Sequence, residues 1–329
     1  MGKPIVKIAR IFLPLLATTL LCAGLAQAEN YPSKPISVIV PFAGGSASDV
    51  VTRILLDRTA KSMGQPFIVE NRPGAGGNTG TMAAAKATPD GYTLVATGSG
   101  SAAINKTLYH DLGYDPQTDF EPVALVGRFP IVIVASAKLP VRTLREMIAY
   151  AKAQSDPLNY GSVGIGSSQH LAGAHFEQVA GVRLTHVPYR NIAQYAPDLI
   201  SGAVPLGFQW LPNVLATLNM GGANALAVAG STRMKALPNV PTAAEAGMPN
   251  YQVSGWFVML APRGTPKPIV AKLNAELNAA LTDPSVAERF TEQGAEGVVM
   301  TPDELAKFMA SETAKWSEII HNAGIPQIQ

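Results

Sequence analysis

Ile36-Ser37-Val38-Ile39-Val40-Pro41, followed by Phe42-Ala43-Gly44-Gly45-Ser46-Ala47-Ser48-Asp49, reads as a short β-branched strand, a small-residue loop and the start of a helix. Ser46 and Ser48 are the cap candidates, Val50, Val51, Ile54 and Leu55 recur at helical spacing, and Gly64 supplies the stop. Phe67-Ile68-Val69 is the next strand. The glycine-rich stretch 71–77 is a loop, and a small-residue helix runs through 82–87. Pro89-Asp90-Gly91 is a turn, since proline presets φ and glycine tolerates φ > 0, and residues 92–97 form a third strand. Strands and helices alternating in this order predict an α/β fold whose sheet has a parallel core covered on both faces.

Further along, residues 120–136 break the alternation. Two strand-like runs, Val123-Ala124-Leu125-Val126 and Ile131-Val132-Ile133-Val134, are joined by Gly127-Arg128-Phe129-Pro130. Helices are then expected at 144–153, 171–179 and 192–200, with strands at 158–161, 184–187, 204–208 and 225–229. A long strand at 253–261 precedes a mainly helical end that includes 269–281 and 304–320. We read 120–136 and 253–261 as two strand crossings between lobes. One lobe is then discontinuous, residues 29–128 and 255–329, and the other is residues 129–254.

The N-terminus points to export. Lys3, Lys7 and Arg10 precede an apolar run at 11–25, and Ala26-Gln27-Ala28 is a small-x-small cleavage pattern, so 1–28 reads as a signal peptide and the periplasm as the destination. Bulky Leu21 before Cys22 argues against lipoprotein processing, and cleavage after Ala28 removes the chain's one cysteine. Charged residues make up 15% of the 329 and the net charge is +2, too little field for nucleic-acid binding. No second apolar run approaches the ~20 residues of a membrane span. A monomer is expected.

The loops at 42–49, 71–80, 98–101, 160–170 and 188–191 are dense in Gly, Ser, Thr and Asn, and each follows a strand expected in a parallel sheet. Ligands bind at such strand ends. Glycine lets backbone amides come close, helix N-termini favour an anion, and hydroxyls add donors without charge. A small organic carboxylate clamped between two such surfaces fits this chemistry. Asp49 is either a first-turn acid or a ligand contact, and His170 a donor at a helix start. His170 and His175 lack the carboxylate and third ligand of a metal pair. Tyr189, Phe208 and Trp210 divide between core and site. Gly74-Ala75-Gly76-Gly77-Asn78-Thr79-Gly80 echoes a dinucleotide fingerprint, but its last glycine is late and no strand ending in an acid follows. Neither a Gly-x-Ser-x-Gly elbow nor a zincin motif occurs. No enzyme, cofactor or metal is expected.

Several motifs together carry a family resemblance. They are Tyr31-Pro32-Ser33-Lys34-Pro35-Ile36, Val40-Pro41-Phe42 with Asp49 and Arg53, Glu70-Asn71-Arg72-Pro73-Gly74-Ala75-Gly76-Gly77-Asn78, and Pro89-Asp90-Gly91-Tyr92. Tyr160-Gly161-Ser162, Val187-Pro188-Tyr189-Arg190, Gly255-Trp256-Phe257 and Pro262-Arg263-Gly264-Thr265-Pro266 complete the set. Over the whole mature length the chain resembles the Bug-type substrate-binding proteins of tripartite tricarboxylate transporters. That resemblance implies a type II periplasmic binding fold closing on its ligand, with delivery to membrane permease subunits. It also implies that the first loop holds a carboxylate largely through backbone amides and water. The candidate ligand-binding residues are Phe42, Ala43, Ser46, Ser48, Asp49, Gly76, Asn78 and Ser99 from the first lobe. From the second they are Gly164, Gly166, Ser167, Ser168, His170, Tyr189, Arg190, Asn191, Phe208 and Gln209. Asn191 replaces a glycine common in the family, and residues 204–210 lack its frequent acids, which leaves an aromatic or bulky acid beside a dicarboxylate. A periplasmic sensor feeding a signalling partner is the alternative function.

Overall fold

The computed structural model describes residues 31–322 and 327–328; the expected signal peptide, 1–28, lies outside them. One five-stranded sheet contains β1 (Ile36–Val40), β2 (Phe67–Asn71), β3 (Thr93–Gly98), β4 (Phe120–Pro130) and β10 (Ser254–Pro262), in the order β2-β1-β3-β10-β4. The other contains β5 (Val132–Ser136), β6 (Leu158–Ser162), β7 (Leu184–Pro188), β8 (Leu206–Gln209) and β9 (Ala223–Val228), in the order β7-β6-β8-β5-β9. The two orders are the same design. Three parallel strands form the core of each sheet, and the strand arriving from the other sheet, β10 or β5, enters antiparallel beside them. The parallel core therefore holds, but each sheet as a whole is mixed.

Helices α1 (Ala47–Met63), α2 (Asn78–Ala85), α3 (Asn105–Leu108), α8 (Lys267–Leu281), α9 (Pro284–Glu292) and α10 (Pro302–Asn322) accompany the first sheet in sequence or contact. Helices α4 (Leu144–Ala153), α5 (Ser168–Ala180), α6 (Tyr195–Ser201) and α7 (Leu211–Asn219) belong to the second lobe. Both faces of the first sheet are covered. Val38 and Val40 share a core with Val51 and Leu55 of α1 and Leu273 of α8, while Ile39 faces a second core with Leu305 and Met309 of α10. This two-sided burial is why Val38, Ile39 and Val40 are apolar in succession instead of alternating with polar residues. No described helix is long and apolar enough to cross a membrane.

Several local expectations change. Gly127-Arg128-Phe129-Pro130 is not a joint: β4 continues to Pro130, pairing with β10 as far as Ser254. Proline is tolerated there because β4 is an edge strand. The small-residue helix begins at Asn78 and ends at Ala85, earlier than expected. Residues 100–108, read only as a loop start, are helical, and α7 went unread.

The two crossings and the residue that follows β9 meet in three backbone hydrogen bonds. Ile131 N donates to Val253 O at 3.1 Å, Ala229 N to Ile131 O at 2.7 Å, and Val253 N to Ala229 O at 2.9 Å. On one side of this triad lies the Pro130–Ser254 pair of the first sheet, on the other the Val132–Val228 pair of the second. The sheets are thereby joined through a narrow hydrogen-bonded hinge.

Packing inside the second lobe depends on missing side chains. A Cβ on Gly173 of α5 would lie 2.2 Å from Tyr160 Cε2, and Tyr160 is itself fixed by its hydroxyl donating to His170 O at 3.0 Å. Gly173→Ala should therefore destabilise the protein. Overpacking costs about 1–3 kcal/mol, while the gain in helix propensity offsets about 1 kcal/mol of it. Urea unfolding measures the difference, and a raised midpoint would contradict the tight contact.

Candidate functional site

The central strand of each parallel triple, β1 or β6, ends in a loop that starts the next helix, and the two loops are built alike. Gly45 (φ 77°) precedes Ser46, the N-cap of α1; Gly166 (φ 79°) precedes Ser167, the N-cap of α5. Ser46 N donates to Ala43 O and Ser167 N to Gly164 O, each at 3.2 Å. Gly45 N donates to Asp49 Oδ2 at 2.9 Å, and Gly166 N to His170 Nδ1 at 3.3 Å. Positive φ at the glycine turns the chain so that the first-turn amides of α1 and α5 stand at the ends of the strands. Those amides have no intrahelical acceptor, and the helix dipole adds partial positive charge. Each lobe thus offers an anion one helix N-terminus.

The side chains that brace the two loops differ. Asp49 accepts from Arg53 Nε and Asn71 Nδ2, both at 3.0 Å, as well as from Gly45. Burial alone would raise its carboxyl, but the bonds from Arg53, Gly45 and Asn71 outweigh it and hold Asp49 below the usual carboxylate range. Both of its oxygens serve the loop. In the second lobe burial pushes His170 down to about 4. His170 stacks on His186 at 4.1 Å between ring centroids, and His186 Nε2 pairs with Ser162 Oγ at 2.6 Å. Burial, with His170 beside it, pushes His186 down to about 3. The His170 ring accepts this hydrogen bond through Nδ1, which leaves Nε2 as its donor. Among the described residues no group of three or more His, Cys, Asp or Glu could hold a metal ion.

The lobes touch along a seam of small and polar residues. Ser99 Oγ and Ser168 Oγ are 2.9 Å apart, and Tyr109 OH donates to Ile165 O at 3.2 Å. Backbones come close enough that a Cβ on Gly76 would sit 2.2 Å from Ile165 O, and one on Gly100 2.7 Å from Gly166 O. A chain of carboxamides also crosses between lobes. Gln209 Nε2 donates to Gly161 O at 2.8 Å, Asn213 Nδ2 to Gln209 Oε1 at 3.1 Å, and Ala47 N of α1 to Asn213 Oδ1 at 2.9 Å. Trp210 packs its ring on Phe257 at 4.5 Å and against Gly98 and Gly255, at the hinge end of the seam.

Of the residues expected at the site, Ser46 and Ser48 pair their hydroxyls at 3.1 Å. Phe42 packs its ring on Gly77, and Asn78 accepts from Asn105 Nδ2 at 2.7 Å. Ala43, Gly76, Ser99, Gly164, Gly166, Ser167, Ser168, His170 and Gln209 lie in the two loops or along the seam. Phe208 instead turns into the core among Tyr160, Phe176 and Tyr251. Tyr189 is buried with its hydroxyl on Asp198, Arg190 is exposed, and Asn191 caps a short 3-10 turn through Ala193 N. Asn105, Gln169 and Asn213 were missed. Pro212 in the first turn of α7 could have revealed the helix that carries Asn213.

The model of the family described as tripartite tricarboxylate transporter family receptor matches residues 51–325. The chain is 37% identical over 306 residues to the protein BugT of Bordetella pertussis, covering 92% of this chain and 94% of that one. It superposes on the periplasmic binding protein BugD with a TM-score of 0.86 and 35% identity, covering 91% of this chain and 100% of that one. For R. palustris Rpa4515, solved with adipate, the TM-score is 0.87 at 36% identity, with 91% and 100% covered.

The stacked histidines set an acid limit. Unfolded imidazoles titrate near 6.5, so between there and about 4 the unfolded chain binds more protons than the folded one. Stability should be full above about pH 6.5 and fall as the pH drops toward 4. Asp49, with its lowered carboxyl, adds its loss only below about 4. Denaturant unfolding from pH 8 to 4 should show the decline, and His170→Gln should make it shallower, with buried His186 and His175 supplying the rest; equal slopes in both proteins would contradict this origin.

Proposed function

Because the chain belongs to the tripartite tricarboxylate transporter receptor family, we propose that it captures a small organic carboxylate between its lobes and hands it to membrane permease subunits. Residues 1–28 serve as the export signal, and the mature chain works in the periplasm as a monomer. The hydrogen bonds among Ile131, Ala229 and Val253 support a division of the lobes at 128/129 and 254/255.

One observation carries the choice of ligand. The same glycine–serine loop occurs at the head of the central βα unit of both lobes, so two helix N-termini supply amides at the strand ends. Such sites favour anions. No cation needs to enter the site, because backbone amides and the hydroxyls of Ser46, Ser48, Ser99 and Ser168 can supply the donors, while Ser167 spends its hydroxyl proton on Gly164 O. The adipate complex of the similar R. palustris protein supports the same chemistry. Asn78 and Gln209 would line the remaining surface, with Tyr189, Arg190 and Asn191 beside the second lobe's loops. Phe42, Gly76, Gly164 and Gly166 shape the approach, Asp49 and His170 brace the two loops, and Phe208 supports from beneath.

A thermal-shift screen of small metabolites should respond to organic acids and not to sugars or polyamines. At ligand ~100-fold above Kd, linkage adds roughly 2.7 kcal/mol of stability. Gly166→Val should weaken acid binding at least ~10-fold, a loss of about 1.4 kcal/mol, because its Cβ would meet Asn105 Oδ1 of the other lobe at 2.4 Å. Stabilisation by neutral sugars alone would overturn the reading.

A further inference from the structure

Gln169, in the first turn of α5, is fully buried, and neither its Nε2 nor its Oε1 has a partner among the described residues. The face it occupies is set by its neighbours four and seven positions on. Gly173 lies on the Tyr160 ring, and the Phe176 ring is 5.1 Å from that of Phe208. Gln169 therefore stands a turn above the sheet contacts, at the level where β6 and β8 end in Ser162 and Gln209. The adjacent Ser168 hydroxyl already meets Ser99 of the other lobe. In the duplicated loops, Gln169 takes the position that Ser48 holds in the first lobe.

A carboxamide buried with both ends unbonded is unfavourable, and buried polar groups are ordinarily paired. A carboxylate answers only half of this need, because it accepts and cannot donate. Oε1 needs a donor. An ammonium group would call for a free carboxylate nearby, yet the Asp49 oxygens are occupied by Arg53, Gly45 and Asn71. A hydroxyl needs no countercharge. We propose that Gln169 selects a hydroxyl-bearing carboxylate, its Nε2 donating to a ligand oxygen and its Oε1 accepting from the ligand's hydroxyl. The inference rests on the carboxylate reading above and narrows it.

Calorimetric titration with matched acids tests the proposal: succinate against malate, propionate against lactate, and phenylacetate against mandelate. In the unaltered protein the hydroxy member of at least one pair should bind ~10-fold tighter or more, as expected for a site with polar groups left unpaired by the analogue. Gln169→Leu should abolish that preference by weakening the hydroxy acid at least ~10-fold more than the hydroxyl-free acid, and its ligand-free melting temperature should stay level or rise. Gln169→Glu, which retains an acceptor but repels carboxylates, should weaken every acid, and it serves as the check if the leucine variant folds poorly. Acids that bind with no hydroxyl preference, or a preference that survives Gln169→Leu, would overturn the role of Gln169 alone. If no acid binds, the carboxylate reading itself falls, and this inference with it.

Discussion

The Ile131–Ala229–Val253 triad is where two complete α/β units become one molecule. Its hydrogen bonds belong to backbone groups, so the joint keeps its geometry whatever side chains surround it, yet it is too narrow to resist rotation as a full sheet would. Because β10 and β5 cross into the opposite sheet beside the parallel core, each lobe is held by a strand whose neighbour in sequence lies in the other. Such an arrangement allows a few residues to absorb a large change in angle while both sheets stay rigid. It also fixes which ends of the strands face each other, and everything at the seam follows from that.

Opposed strand ends make the seam a meeting of loops rather than of packed apolar faces. Close backbone approach at Gly76 and Gly100 leaves no room for side chains, and the polar contacts described across the gap are a serine pair, a tyrosine–carbonyl bond and a carboxamide bridge. Each of these is worth about 1 kcal/mol in a folded protein. Their sum is a modest bias toward closure, of the size that a ligand touching both lobes can shift. The two loops present similar amides but are braced differently, by an ionised aspartate in one lobe and an uncharged histidine in the other.

Much of the architecture was legible because it is written locally. The run 36–40, the serine before α1 and Gly64 after it each act within one element, and the crossings announced themselves as a pair of apolar runs at 120–136 and one long strand at 253–261. Gly127 and Pro130 misled because a glycine and a proline three apart look like a turn. In the fold Arg128 exchanges two backbone hydrogen bonds with Glu296, a partner no local pattern reveals. The site was legible as loops and not as contacts. Ser99 with Ser168, and Ala47 with Asn213, meet only because the lobes face each other. The likeness of the two loops was hidden as well: Asp49 and His170 share one geometric task with unlike chemistry, and Phe208 looked like a site aromatic until its neighbours were known.

Asn213 gives the arrangement a further meaning. Its carboxamide oxygen rests on the first amide of α1 and links it, through Gln209, to the strand end of the opposite lobe. The protein thus carries its own small imitation of a ligand, a neutral oxygen at a helix N-terminus that bridges the cleft. A ligand that approaches α1 in the same way has to compete with an oxygen that the protein itself supplies from across the cleft.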